Sequence, residues 1–486
     1  MVSALIARVY GLADKPFWLD EVTTQRRLNL PISDLFADSF LYGQFPTYFA
    51  LVRALNMPII DEWTLRLPSA IFGAISVLLV TLIATEIRSS RAGLVAGVLM
   101  ALSPFEVQFG QEARPGALVS CCVLLALWGL VRIAKQASTG ASPSSCPRGL
   151  LGSWIAYTVG TICALNVQIV SVPWLLASNL AMATVIRHSG LKRNELVRNW
   201  TVTQGAIVLA WLPGLVAIFL ATHEDPLRNL RWIPPFTLEK LWSVISAVYL
   251  FRASDIISFE LLPTLVPGFG AVVFALALLG AWRLKDDPTL LNTIGLAAIA
   301  MPTTILIASI FYPMLIPRYF IWSTGPFFVL AGIGAAALSV RVFPIIAAAL
   351  AVGGVVNLAP YYLYETKPRW DLAAAYLDAN VQPGDTIVTN SDMAQYVLSA
   401  FGNRYHLDRK MISTAYGMED AAIQYAQAER IWVVYGRTGQ GITETEENYL
   451  KKWLIFGTPV SKIEFGKHVV ILRFDSPRSH STIRDE

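Results

Sequence analysis

The chain has 486 residues, of which 55% are hydrophobic and 15% charged; soluble domains carry about 25% charged residues, so much of this chain avoids water. Its net charge of +4 is small and dispersed, which excludes a nucleic-acid partner gripped through a basic surface. The four cysteines (Cys121, Cys122, Cys146 and Cys163) lie in or beside apolar runs without metal-ligand spacing, and no disulfide framework holds residues 365–486.

Residues 2–12 are apolar but interrupted by Arg8, too short for the roughly 30 Å of a bilayer core. They lack the pattern of a cleavable signal. The expectation is a start upstream of Met1 or, failing that, a stunted first helix. Charge-free runs long enough to span follow at 67–85, 199–222, 261–282, 289–311, 319–340 and 342–364, with a shorter one at 115–131. Residues 149–186 carry no charge; as helix they would reach roughly 57 Å, two crossings with a reversal near 166–173. Residues 92–105 are short, yet without a crossing there the flanking loops would share a compartment. With the first helix, about eleven crossings result.

Lys and Arg set the orientation. With the N-terminus cytoplasmic, the inside loops 86–91, 132–148, 187–198, 283–288 and Arg341 hold 12 Lys and Arg in 42 residues. The outside loops 13–66, 106–114, 166–172, 221–260 and 312–318 hold 11 in 117. That contrast in density places residues 365–486 outside. This tail alternates helical periodicity at 370–380, a turn at Gln382-Pro383-Gly384-Asp385, and strands at 386–389, 431–435 and 468–474. The fold class expected is an α-helical polytopic membrane protein, residues 1–364, with a C-terminal extracytoplasmic α/β domain, residues 365–486. No internal repeat is evident, and a Ser/Pro-rich stretch at 137–147 is an inside loop.

Three charge clusters return to the outer face. The first outside loop, 13–66, opens on Phe17-Trp18-Leu19-Asp20-Glu21, which reads as a reactive carboxylate pair, as solvated loop charges or as a helix cap. Gln111-Glu112-Ala113-Arg114 offers a guanidinium for an anionic head group, or an interfacial anchor paired with Glu112. Pro317-Arg318-Tyr319 places an arginine at a helix end, where snorkelling is commonplace. Residues 43–56, with Gln44, Pro46 and Tyr48, and residues 242–250 read as interfacial helices or loop helices. Carboxylates and arginines on one face suit a hydroxyl losing its proton while an anionic group departs. Glycosyl transfer from a lipid phosphate and transport of a phosphate lipid both remain open on these residues alone.

The order Trp-Leu-Asp-Glu (18–21), Gly43-X-X-Pro46-X-Tyr48, Leu65-Arg66-Leu67-Pro68-Ser69-Ala70, Leu102-Ser103-Pro104 and Gln111-Glu112-Ala113-Arg114 resembles the C-type glycosyltransferase superfamily. The branch it resembles holds the dolichyl-phosphate-mannose protein mannosyltransferases and the bacterial aminoarabinose transferases of lipid A. The resemblance is strongest over residues 17–135. Two departures bear on specificity: Gln44-Phe45-Pro46 stands where members often have His-Pro-Pro, and Gly116 where they often carry an aromatic residue.

The resemblance implies an inverting transferase of a hexose or pentose from a polyprenyl-phosphate donor to a lipid, glycan or protein hydroxyl, in the bacterial inner membrane. It implies Asp20 as general base, beside Glu21 in the catalytic pair. Arg114 and Arg318 would stabilise the departing phosphate, and Glu112, Gln111, Tyr48 and Gln44 would bind substrate. Partial desolvation would raise a carboxylate's pKa toward neutrality. No cofactor is required, and a divalent cation, if used, falls to Asp20 and Glu21. A transporter or flippase of lipid-linked sugars, and a non-catalytic glycan- or partner-binding member of the fold, are the competing readings. A reporter that folds only outside the cytoplasm, fused after Glu486, is expected to be active; an inactive fusion at normal expression would invert the orientation.

Overall fold

The computed structural model describes residues 1–55, 61–138, 147–189, 193–225, 230, 232–251, 265–402, 404, 407, 412–415, 417–436, 446–466 and 469–475. Cys146, Asn56, His468, residues 261–264 of one expected span and most of the Ser/Pro-rich stretch lie outside the described residues. The chain divides into two units: residues 1–12 with 27–364, and residues 13–26 with 365–486.

The first unit is helical, and its breaks follow from capping residues and prolines. Its helices are α1 (Val2–Val9), α2 (Leu19–Leu28, which also carries the end of the 13–26 segment), α3 (Ile32–Leu41), α4 (Thr47–Ala54), α5 (Glu62–Ile87), α6 (Ser90–Leu102), α7 (Pro104–Gly110) and α8 (Gly116–Ser138). They continue as α9 (Pro147–Val167), α10 (Val172–His188), α11 (Arg193–Thr222), α12 (Leu238–Tyr249), α13 (Leu265–Arg283), α14 (Pro288–Phe311), α15 (Thr324–Ala336) and α16 (Phe343–Leu363). The Asp61 side chain accepts from the Thr64 N–H to start α5, and Asp287 followed by Pro288 starts α14 in the same way.

Among the described residues eight helices are long and apolar enough to cross a membrane: α5, α8, α9, α10, α11, α14, α16, and α15 together with the 3₁₀ turn Pro317–Ser323 that leads into it. The α6–α7 pair makes nine if counted as one span bent by 63°. The eleven expected from the sequence add α1, of eight residues, and α13, whose described apolar part is Gly268–Arg283. The reversal expected near 166–173 falls between the end of α9 and the start of α10. The helices expected at 43–56 and 242–250 are α4, whose Tyr48, Phe49 and Val52 are buried, and α12, which begins earlier, at a Thr237 cap.

Helices meet where side chains are small or polar atoms pair. A Cβ on Gly280 would fall 1.9 Å from the Leu330 carbonyl, and one on Gly334 1.9 Å from that of Leu276, so α13 and α15 touch backbone to backbone. Tyr157 donates to Ser178 (3.0 Å) and accepts from Gln204 (3.0 Å), Trp174 donates to Thr161, and Trp200 to Asn179, which binds α9, α10 and α11 through neutral polar pairs.

The short α1 is held by one charge. Pro104 has no N–H, so the Met100 carbonyl four residues earlier loses its helical donor. Arg8, fully buried, supplies one: its Nη2 reaches Met100 O at 3.3 Å while Nη1 reaches Ala4 O at 3.2 Å. Gly73 and Gly110 make the room, since a Cβ there would lie 2.6 and 3.1 Å from Arg8. Glu106, also buried, attracts this guanidinium and accepts from Thr324 at 2.5 Å.

The second unit carries α17 (Trp370–Asn380), β1 (Thr386–Thr389), α18 (Asp392–Gly402), β2 (Ile412–Thr414), α19 (Met418–Gln427), β3 (Arg430–Gly436), α20 (Glu446–Leu454), β4 (Ser461–Phe465) and β5 (Val469–Asp475). Its sheet runs β2-β1-β3-β5-β4, parallel through the first three strands and antiparallel through the last two. Asp385 anchors it, accepting two bonds from Arg430 (2.7 and 2.9 Å), one from Trp432 (2.8 Å) and one from the Gln382 N–H (2.9 Å). The strand order reverses between β1 and β3, where open α/β sheets commonly bind a ligand at the carboxyl end. Here Trp370 occupies that end: a Cβ on Gly436 would fall 2.0 Å from its ring. The Asn390 side chain bridges the gap by accepting from the Gly436 N–H at 3.1 Å.

Arg8→Met strands the Met100 carbonyl and leaves Glu106 unneutralised, and is expected to cost about 3–5 kcal/mol. Thermal unfolding in detergent should show Arg8→Met/Glu106→Gln losing less than Arg8→Met; equal losses would separate the two residues energetically.

Candidate active site

The Asp-Glu pair lies in the second unit, in the first turn of α2. Neither carboxylate is solvated: Asp20 is 7% exposed and Glu21 0%. Glu21 Oε2 accepts from the Trp18 N–H at 3.5 Å, the return half of a capping box at the helix start. The same oxygen accepts from Lys367 Nζ at 2.7 Å, a buried ion pair between segments 346 residues apart. Asp20 sits one residue earlier, at the positive end of the helix dipole, and its carbonyl accepts from Thr24 at 3.1 Å. The Trp18 indole N–H, two residues before Asp20, is a buried donor without a bonding partner.

The tail segment beside Lys367 is pinned by its own charges. Arg369 donates to both oxygens of Asp371 (2.9 and 2.8 Å) and to Glu365 (3.3 Å). Its bonds to Asp371, and the charges of both carboxylates, hold its pKa above the usual arginine value.

The other candidates belong to the first unit. Gln111, Glu112 and Arg114 form the turn between α7 and α8, with Gln111 and Glu112 buried and Arg114 half-buried. Gln111 commits both amide hydrogens to the end of α1, at Arg8 O (3.1 Å) and Tyr10 O (2.7 Å). Glu112 accepts from Gln108 at 3.2 Å, and the Arg114 N–H bonds Glu112 O at 2.8 Å. Ser69 donates to Arg114 O at 3.3 Å, so the 3.1 Å contact between Tyr48 and Ser69 has the tyrosine as donor. The motif residues Tyr48, Ser69 and Arg114, far apart in sequence, thus form one chain of bonds.

Gln44 accepts from Arg27 at 2.6 Å, and Arg27 also bonds Asp38 at 2.6 Å and lies over the rings of Tyr42 and Phe49. Arg318 is in the 3₁₀ turn before α15, its guanidinium 4.9 Å from the Trp232 ring centre. Sequence reasoning missed Arg27, Arg66 and Lys367. Arg66 is buried and donates to Leu12 O at 2.8 Å. Only Arg66 carried a local signal, a basic residue beside the apolar run 67–85, which names no partner; Arg27 and Lys367 lie in polar, charged stretches. Among the described residues no group of three or more His, Cys, Asp or Glu side chains is arranged to hold a metal ion.

The second unit holds the buried carboxylates of Asp20 and Glu21, the latter paired with Lys367, and the first unit holds Arg114 on a turn braced by hydrogen bonds. Comparison with known proteins gives this a context. The dolichyl-phosphate-mannose-protein mannosyltransferase family model matches residues 46–216. No curated protein matches the sequence. Among solved structures, ArnT from Cupriavidus metallidurans in the apo state is similar with a TM-score of 0.58 at 12% identity, over 97% of this chain and 96% of that one. The same protein bound to undecaprenyl phosphate gives 0.53 at 12%, with the same shares covered. The oligosaccharyltransferase AglB of Archaeoglobus fulgidus, in complex with an inhibitory peptide and a dolichol-phosphate, gives 0.54 at 12%, over 99% of this chain and 76% of that one.

Gln111→Leu would leave the carbonyls of Arg8 and Tyr10 without their donor, at a cost of about 1–3 kcal/mol. Thermal unfolding of the purified protein should show a lowered midpoint; an unchanged one would mean that the turn does not hold α1.

Proposed function

We propose that this membrane chain, which has the C-type glycosyltransferase fold, transfers a sugar from a polyprenyl-phosphate donor to an acceptor hydroxyl on the outer face of a bacterial inner membrane. The observation that carries this is the buried Asp20 in the first turn of α2, next to a Glu21 whose charge Lys367 offsets. A carboxylate shielded from water and held at a helix start is suited to act as a base. The structural neighbours with bound undecaprenyl phosphate or dolichol-phosphate support the donor class.

In this reading Asp20 takes the proton of the acceptor hydroxyl as its oxygen attacks the anomeric carbon. The bond from that carbon to the phosphate oxygen breaks, and the polyprenyl phosphate leaves as an anion. Direct displacement inverts the anomeric centre. Arg114 and Arg318 offset the charge that develops on the phosphate, so no strong acid is needed. Glu112 orients the acceptor. Gln111, Tyr48 and Gln44 are the remaining substrate-binding candidates, and each is also held by a bond of its own, to α1, Ser69 and Arg27. The sugar is a hexose or pentose, and the acceptor a lipid, glycan or protein.

A transporter would need ionisable residues lining a path through the bundle. Arg8 and Glu106 are buried and ionisable, but they hold a backbone carbonyl and a threonine hydroxyl at a helix break. Sugar transfer in membranes from radiolabelled polyprenyl-phosphate sugars is expected to fall about a hundredfold or more in Asp20→Asn at equal expression. Equal activity would remove Asp20 from the mechanism, and no transfer from any donor would shift the function to transport or binding.

A further inference from the structure

The Glu21–Lys367 pair joins the first turn of α2 to the segment that follows α16, and both residues are buried. A buried ion pair is a poor source of net stability, because desolvation offsets most of the attraction. It is, however, a directional constraint. Removing one partner takes a counter-charge away from a buried residue, so the paired geometry is strongly preferred over alternatives. Lys367 has nearer carboxylates in sequence, Glu365 and Asp371, but Arg369 engages both. The lysine reaches Glu21 instead, and Glu21 Oε2 joins the ammonium to the Trp18 N–H at the helix start.

Asp20 is covalently next to this anchored residue. With Glu21 fixed through its side chain and Trp18 through its backbone, the turn that presents Asp20 is restrained on both sides. A base must lie within hydrogen-bond reach of its proton, and displacements of about 1 Å cost rate even when binding survives.

We infer that Lys367 is a positioning residue for the reaction, acting through Glu21 to aim Asp20, and that Glu21 serves as the counter-charge of Lys367 and not as a ligand to substrate or metal. This rests on Asp20 being the base. It gives the C-terminal segment an indirect part in the chemistry, since one of its residues restrains the turn that carries Asp20.

The test measures kcat and donor KM for transfer by the purified full chain with a radiolabelled polyprenyl-phosphate sugar. Lys367→Met is expected to lower kcat about tenfold to a hundredfold, with donor KM changed less than about threefold. Lys367→Arg, which keeps the charge, should recover most of that loss, and Glu21→Gln/Lys367→Met should be about tenfold or more faster than Lys367→Met alone. A double variant no faster than Lys367→Met would make Glu21 a ligand in its own right and overturn the inference, as would wild-type kcat in Lys367→Met. A poorly folded Lys367→Met is covered by the double variant, which removes the buried carboxylate charge together with its counter-charge. Asp20→Asn, run in parallel, separates the failures: full activity there overturns the base assignment and this inference together, while a loss there with an unaffected Lys367→Met overturns the inference alone.

Discussion

A backbone carbonyl buried among apolar helices has no water to turn to, and much of the first unit is arranged around that shortage. Pro104 ends α6 and removes the donor for Met100, and α1 is only eight residues long. Side chains from elsewhere in the unit make up the difference. Arg8 bonds Met100, Gln111 bonds Arg8 and Tyr10, Arg66 bonds Leu12, and the Tyr362 hydroxyl bonds Ala7. The Gln111-Glu112-Ala113-Arg114 turn and α1 are therefore tied into one framework. The turn after α7 grips the end of α1 through Gln111, and α1 likewise grips the break before α7 through Arg8.

The second unit solves a different problem. Its sheet has the reversal of strand order at which similar folds bind ligands, yet the Trp370 indole fills the carboxyl end of β3. The position is used for packing, and the unit's buried ion pair lies with residues 13–26 instead. There Glu21 and Lys367 pair, and the segment bearing Asp20 is counted with the tail in spite of its place near the N-terminus. A first loop that folds with the last domain accounts for the long sequence separation of that pair.

Some of this was readable in the chain. The reversal at 166–173 is marked by Pro173 after a polar break, and the turn at 382–385 by Pro383 and by Gly384, whose φ is +96°. The three strands expected in the tail are β1, β3 and β5, apolar runs buried on both faces. Two strands were missed for clear reasons. β2 is three residues, two of them Ser and Thr, and takes its strand character from pairing with β1. β4 is an edge strand with no fully buried residue, and it follows the buried β5 by pairing alone. The α2 helix was read as part of a loop because seven of its ten residues are charged or threonine and glutamine, so it shows little apolar periodicity.

What the sequence determined is what depends on local composition: the apolar runs that must leave water, the prolines and glycines that interrupt them, the strands of the tail, and the residue types that form the motifs. What tertiary structure decided is which polar group answers which. Arg8 interrupts an apolar stretch, Gln111 belongs to a motif expected to bind substrate, and Lys367 has no local signal at all. Each has a partner that folding alone supplies: a carbonyl freed by a proline 96 residues on, the end of a helix about a hundred residues back, and a carboxylate 346 residues away. Periodicity reports the environment of a residue's own helix or strand. A buried hydrogen bond or ion pair between distant segments leaves no such local trace, because its strength comes from the exclusion of water that only the assembled fold provides.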